Sequence, residues 1–236
     1  SLSSRKDYRN AVIAARGAFS GWSARAAFNR GQILYRIAEM LEGRKDQFLE
    51  ELKQLGYTPA AAKKEVEQSI DRLVYYAGWC DKYQQLVSSV NPVATSHFNF
   101  SVPEPMGVVA ILADESSALL GLVSVIAPAI AGGNTCIVLA SESKPTCSIT
   151  FAEVIATSDV PGGVVNIVTG SRKELHSHFS SHMDVNAIIN CNSEKDFNKT
   201  IGENASLNVK RVFTWNKNWS DEKEQGPYFI ADLQEI

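Results

Sequence analysis

The chain has 236 residues, 44% of them hydrophobic, with 23 Lys and Arg against 26 Asp and Glu and a formal charge of -3. That length and apolar content suffice for a sizeable core, while a near-balanced charge with no basic run leaves no electrostatic footprint for nucleic acid or an anionic membrane. The longest apolar stretch, Ala118 to Ala131, is too short to span a bilayer, contains Pro128 and runs into Gly132-Gly133, so it reads as a core helix.

The N-terminal SLSSRKDYRN lacks the charged-then-apolar layout of a secretory signal, and a cytoplasmic location is expected. Residues 1–85 read as helices. NRGQILYRIAEMLEGRKDQFLEELKQLG places Ile33, Ile37, Met40, Leu41, Phe48 and Leu52 at three- and four-residue intervals, giving one apolar stripe that ends at Gly56. AAAKKEVEQSIDRLVYYAGWCDKY repeats the pattern through Val66, Ile70, Leu73, Val74, Ala77 and Trp79. Residues 86–104 change character, with small polar residues, prolines and an alternating stretch from His97 to Val102 that predicts an exposed edge strand.

From Pro105 onward short apolar strands alternate with helices. Strands are expected at Gly107–Leu112, Thr135–Leu139, Val164–Val168 and in NAIIN, with helices at Ser117–Ala131, Thr146–Thr157 and Lys173–Ser180. Such a pattern requires a doubly wound α/β domain, its parallel sheet covered on both faces by right-handed crossovers. The tail from Lys199 is less regular: VKRVFTW reads as one more strand, NKNWSDEKEQG as a polar loop and PYFIADLQEI as a terminal strand.

Neither GxGxxG nor GxxxxGK[ST] occurs, and there is no GxSxG elbow. The turn ADESS is expected to cap the following helix through Asp114 or Ser116; an acid-base pair of Asp114 and Glu115 is the competing reading, disfavoured because adjacent residues seldom converge on one atom. Cys80, Cys136, Cys147 and Cys191 have no metal-type spacing, and His178 and His182 lack the intervening carboxylate of an HExxH site, so neither metal nor disulfide is expected.

WSARAAFNRGQILYRIAEMLEGR, EVEQSIDRLVYYAGWCDKY, VPEPMGVVAIL, IAPAIAGGNTCIVLASESKP and VPGGVVNIVTG, in that order, closely resemble the NAD-binding half of the aldehyde dehydrogenase superfamily. The resemblance runs from about Trp22 to Ser193 and implies a Rossmann-like nucleotide domain preceded by N-terminal helices. The family's Pro-Trp-Asn turn, whose Asn donates to the reaction's oxyanion, falls on Asp114, Glu115 and Ser116, where carboxylates oppose developing negative charge. Its ribose-binding Lys-Pro-Ser/Ala-Glu falls on Leu139, Ala140, Ser141 and Glu142; its pyrophosphate-lining Phe-Thr-Gly-Ser falls on Asn190, Cys191, Asn192 and Ser193. Glu142 and Ser193 are thus the retained candidates for holding NAD. The general-base Glu falls near Trp215, and the nucleophilic cysteine belongs to a catalytic domain expected to be absent from this 236-residue unit.

The resemblance further implies a small β flap for oligomerisation, built from residues 86–104 and 227–236. Within the superfamily the chain is most similar to the truncated second unit of the two-unit, family-16 aldehyde dehydrogenases. The expected role is therefore non-enzymatic, with no catalytic residue: an assembly or regulatory partner, as a homo-oligomer or with a complete aldehyde dehydrogenase. A regulator still holding NAD, or part of a split oxidoreductase, is the alternative.

Overall fold

The computed structural model describes residues 2–236. Its N-terminal portion is five helices: α1 (Arg5–Ser23), α2 (Ala27–Gly43), α3 (Lys45–Gln54), α4 (Pro59–Trp79) and α5 (Tyr83–Val87). The stripe expected to form one helix up to Gly56 is broken between α2 and α3. Arg44, at φ -107 and ψ 15, ends one helix and starts the next, and Gly43 lowers the cost of leaving helical geometry there. The sequence pattern does not mark helix α1 as a separate stripe, because its buried side is only Tyr8, Val12, Ala15 and Trp22 among many charged and small residues.

The remainder comprises β1 (Ser89–Asn91), β2 (Asn99–Ser101), β3 (Glu104–Pro105), β4 (Val108–Leu112), α6 (Leu120–Ala131), β5 (Thr135–Leu139), α7 (Thr146–Ala156), β6 (Val165–Val168), α8 (Arg172–Ser181), β7 (Ala187–Asn190), α9 (Lys195–Ser206), β8 (Arg211–Thr214), α10 (Tyr228–Ala231) and β9 (Gln234–Glu235). Five of these strands form one parallel sheet in the order β6-β5-β4-β7-β8. This is the expected doubly wound arrangement.

Alternation along β4 explains why its sequence is continuously apolar. Val108, Ala110 and Leu112 pack with Tyr8 of α1, Phe179 of α8 and Ile201 of α9, whereas Val109 and Ile111 join the core built with α2, α4 and α6. A strand buried on both faces has no polar side to show. The indole of Trp22 ties α1 to the second layer by donating to Ile130 O at 3.0 Å.

Two expectations for the periphery are corrected. The segment at His97–Val102 does not pair with the C-terminus; β2 pairs antiparallel with β1, with Val90 opposite Phe100, because a partner a few residues away closes a shorter loop. Nor is Pro227–Ile236 a terminal strand. Ile230 and Leu233 are buried three residues apart, a helical spacing, so α10 forms first and only Gln234–Glu235 extend to pair with β3. Helix α9 occupies part of the tail expected to be irregular; its buried positions, Ile201 and Ala205, are too few to mark a stripe.

Candidate active-site crevice

Strand β4 leads outward to β5 and β6 on one side, and the chain then returns to place β7 and β8 on the other. The carboxyl ends of β4 and β7 therefore flank the reversal of strand order, where open α/β sheets receive ligands. An open hollow of about 350 Å³ lies at this edge, lined by Glu115, Glu142, Arg172, Lys173, Asn192 and Glu194 among others.

Three glutamates, two of them in its lining, take up N–H groups of the loops and helix starts at this edge. Glu65, reaching over from α4, accepts from Ser117 Oγ at 2.9 Å and from the amides of Ala118, Leu119 and Leu120 at 3.0, 2.8 and 3.3 Å. Those amides open α6, the place where a helix most favours negative charge. Glu142 does the same at the start of α8, accepting from Arg172 N at 2.9 Å.

Glu115 occupies the third position. Its carboxylate accepts from Ser141 Oγ at 2.7 Å, Glu142 N at 2.9 Å, Ser143 N at 3.1 Å and Ser143 Oγ at 2.8 Å. Arg172 Nη2 meets it at 2.9 Å and also donates to Ala113 O. Burial opposes the charge on Glu115, but the bonds from Glu142, Ser141 and Ser143 outweigh it and hold the carboxyl below the ordinary value. One side chain thus joins the loop after β4, the loop after β5 and the first turn of α8.

The expected capping of α6 by Asp114 or Ser116 is not found. Asp114 closes a local turn, accepting from Ser116 N at 3.0 Å and from Ser116 Oγ, and α6 is capped by Glu65 because the chain runs on to Leu119 before turning helical. The pairing of Asp114 with Glu115 is likewise absent, since their bonds go to different loops. Of the two residues singled out for NAD, Glu142 is engaged with α8 and Ser193 is exposed just before α9. Sequence reasoning missed Glu65 and Arg172, which lie far along the chain from the groups they hold.

The other positions singled out in the sequence are buried and bonded within the chain. Trp215 is buried at the end of β8, donating to Asp232 Oδ2 at 3.1 Å and packing edge-on to Phe229. Asn190 is buried and bonded to Asn192 O and Asn198 Oδ1. All four cysteines are free and buried; burial pushes Cys80, Cys136 and Cys147 up to about 12 and raises Cys191 as well. Among the described residues no group of three or more His, Cys, Asp or Glu is placed to hold a metal, and no helix is long and apolar enough to cross a membrane.

The model of the aldehyde dehydrogenase family matches residues 1–214. The chain belongs to the aldehyde dehydrogenase family. It is 31% identical over 217 residues to cytosolic 10-formyltetrahydrofolate dehydrogenase of Pongo abelii, covering 90% of this chain and 24% of that protein. It is 34% identical over 216 residues to aldehyde dehydrogenase, cytosolic 1 of Elephantulus edwardii, covering 88% and 42%. Among solved structures, PnpE in complex with nicotinamide adenine dinucleotide superimposes with a TM-score of 0.83 at 27% identity, covering 89% of this chain and 43% of that one. Betaine aldehyde dehydrogenase of Staphylococcus aureus, in complex with NAD+, gives 0.82 at 26% identity, covering 90% and 43%. This aldehyde dehydrogenase family chain therefore spans less than half the length of these relatives.

Proposed function

We propose that this unit does no aldehyde chemistry of its own and serves as an assembly or regulatory partner of a complete aldehyde dehydrogenase. The observation that carries the reading is the self-occupied crevice. Glu65, Glu115 and Glu142 already accept the N–H groups that a phosphate or oxyanion would need, and Glu115 is locked to Arg172. A dinucleotide does not fit these residues: its pyrophosphate would have to displace carboxylates from the amides they accept from, in a hollow lined by Glu115, Glu142 and Glu194 against Arg172 and Lys173. None of the four thiols is exposed or acidified enough to act as a nucleophile.

Assembly is supported by the β1–β2 hairpin. Val90, Phe98 and Phe100 are 68, 74 and 60% exposed, and an isolated two-stranded hairpin with such a face gains most by pairing with another chain. Four reduced, buried thiols suit a cytoplasmic setting. Assay of the chain for aldehyde-dependent NADH formation, beside its sedimentation, tests the proposal. No turnover together with a self-associated species is expected; turnover above trace contamination refutes the non-catalytic role.

A second reading, a nucleotide-binding regulator or part of a split oxidoreductase, rests on α9. Its N-cap residue Glu194 makes no side-chain bond to its first amides, and Ser193 stands exposed beside them, although Asp196 adds negative charge in the first turn.

A further inference from the structure

A separate cavity of about 550 Å³ lies at the opposite, amino edge of the sheet, between the α1–α2 corner, α5 and the strap from β2 to β3. Phe19, Val102, Pro103 and Pro105 give it apolar walls, and Arg25 and Arg30 give it charge. We propose that this cavity binds a small organic anion with a carboxylate head and a short apolar body.

The two guanidiniums lack counter-charge. Arg30 donates Nε to Ala131 O at 3.3 Å and Nη1 to the carbonyls of Ser23 and Arg25 at 3.4 and 2.5 Å. Carbonyls satisfy donors without neutralising the cation, and burial pushes this guanidinium down from the ordinary arginine value. Arg25 donates Nη1 to Asn29 Oδ1 at 2.7 Å, while its Nε is buried with no acceptor.

Among the described residues neither arginine forms an ion pair. Glu104 is the one carboxylate in the lining, and it is exposed at the rim. Sheltered cations ordinarily have an acidic partner, and an orphaned Nε–H asks for an acceptor. A carboxylate answers both needs through the guanidinium's fork, and apolar walls around a few convergent polar groups describe a small-ligand site. The cavity shares no lining residue with the crevice at the carboxyl edge, so the inference does not depend on that crevice being closed.

Titration calorimetry with sodium hexanoate, its neutral counterpart 1-hexanol and inorganic phosphate tests the proposal on the 236-residue chain. Hexanoate is expected to bind saturably at one site, with 1-hexanol and phosphate each at least about tenfold weaker. Arg25→Gln should weaken hexanoate by about tenfold or more, and Val102→Trp, which fills the cavity while sparing both charges, should abolish binding. Circular dichroism checks that each variant is folded. No saturable heat with hexanoate, equal affinity for 1-hexanol or phosphate, or hexanoate affinity unchanged in both folded variants would overturn it.

Discussion

Glu115 and Arg172 meet at 2.9 Å across the reversal of strand order, the carboxylate coming from the loop after β4 and the guanidinium from the first turn of α8. The ion pair spans the mouth where the fold ordinarily admits a ligand. Because the Arg172 side chain is only 7% exposed, losing its carboxylate leaves a sheltered charge uncompensated.

Glu115→Gln should therefore destabilise the chain by about 1–2 kcal/mol in urea unfolding at neutral pH, a figure kept low because the Glu115 side chain is 37% exposed and screened. The folded carboxyl is held below its ordinary 4.5, so this stabilisation is complete above that value and drains away as pH falls through the folded pKa. The gap between wild type and variant should narrow in that acidic range. A gap that widens there contradicts the assignment.

Glu65→Ala removes the carboxylate that accepts three opening amides of α6. Loss of a cap of this kind costs about 1–2 kcal/mol. Hydrogen exchange should show the amides of Ala118, Leu119 and Leu120 losing protection, with Glu65→Gln intermediate because its amide oxygen still accepts. Unchanged protection in Glu65→Ala would show that the cap is not made in solution.

Lys210 is buried, and its Nζ has no acceptor. Burial lowers its pKa from 10.5 to about 8, with Asp184 opposing the shift. Between these values the unfolded chain binds more protons than the folded one, so stability should rise with pH across that window. Lys210→Met should remove this slope and stabilise the chain at neutral pH by about 1–3 kcal/mol. A neutral-pH loss of stability would mean that Nζ has a partner after all.

Phe98 and Phe100 share one face of the β1–β2 hairpin, their rings 5.6 Å apart. Replacing both with Ser should convert an assembled species to a monomer in sedimentation velocity while leaving the far-ultraviolet spectrum unchanged, because neither ring belongs to the core. An unaltered distribution would move the assembly surface elsewhere.

The parallel sheet was legible because β4, β5 and β7 are apolar runs buried on both faces, and each falls where the alternation of strands and helices placed it. The periphery was not. Whether Tyr228–Ala231 extends or coils is decided by where Ile230 and Leu233 find the core, which is tertiary information. The crevice was legible in the adjacent carboxylates of ADESS after β4 and opaque in the partners that its side chains find. The Glu65 carboxylate stands 52 or more positions from the groups at the start of α6 that it accepts from, and the Arg172 guanidinium 57 from Glu115, and a Glu on a helix looks in sequence like any solvated residue.

Calorimetric titration of the chain with NAD most directly tests the claim that its own carboxylates close the nucleotide crevice. No saturable heat is predicted for the wild type. Stoichiometric, saturable binding of NAD would contradict that closure and move the function to the nucleotide-binding reading.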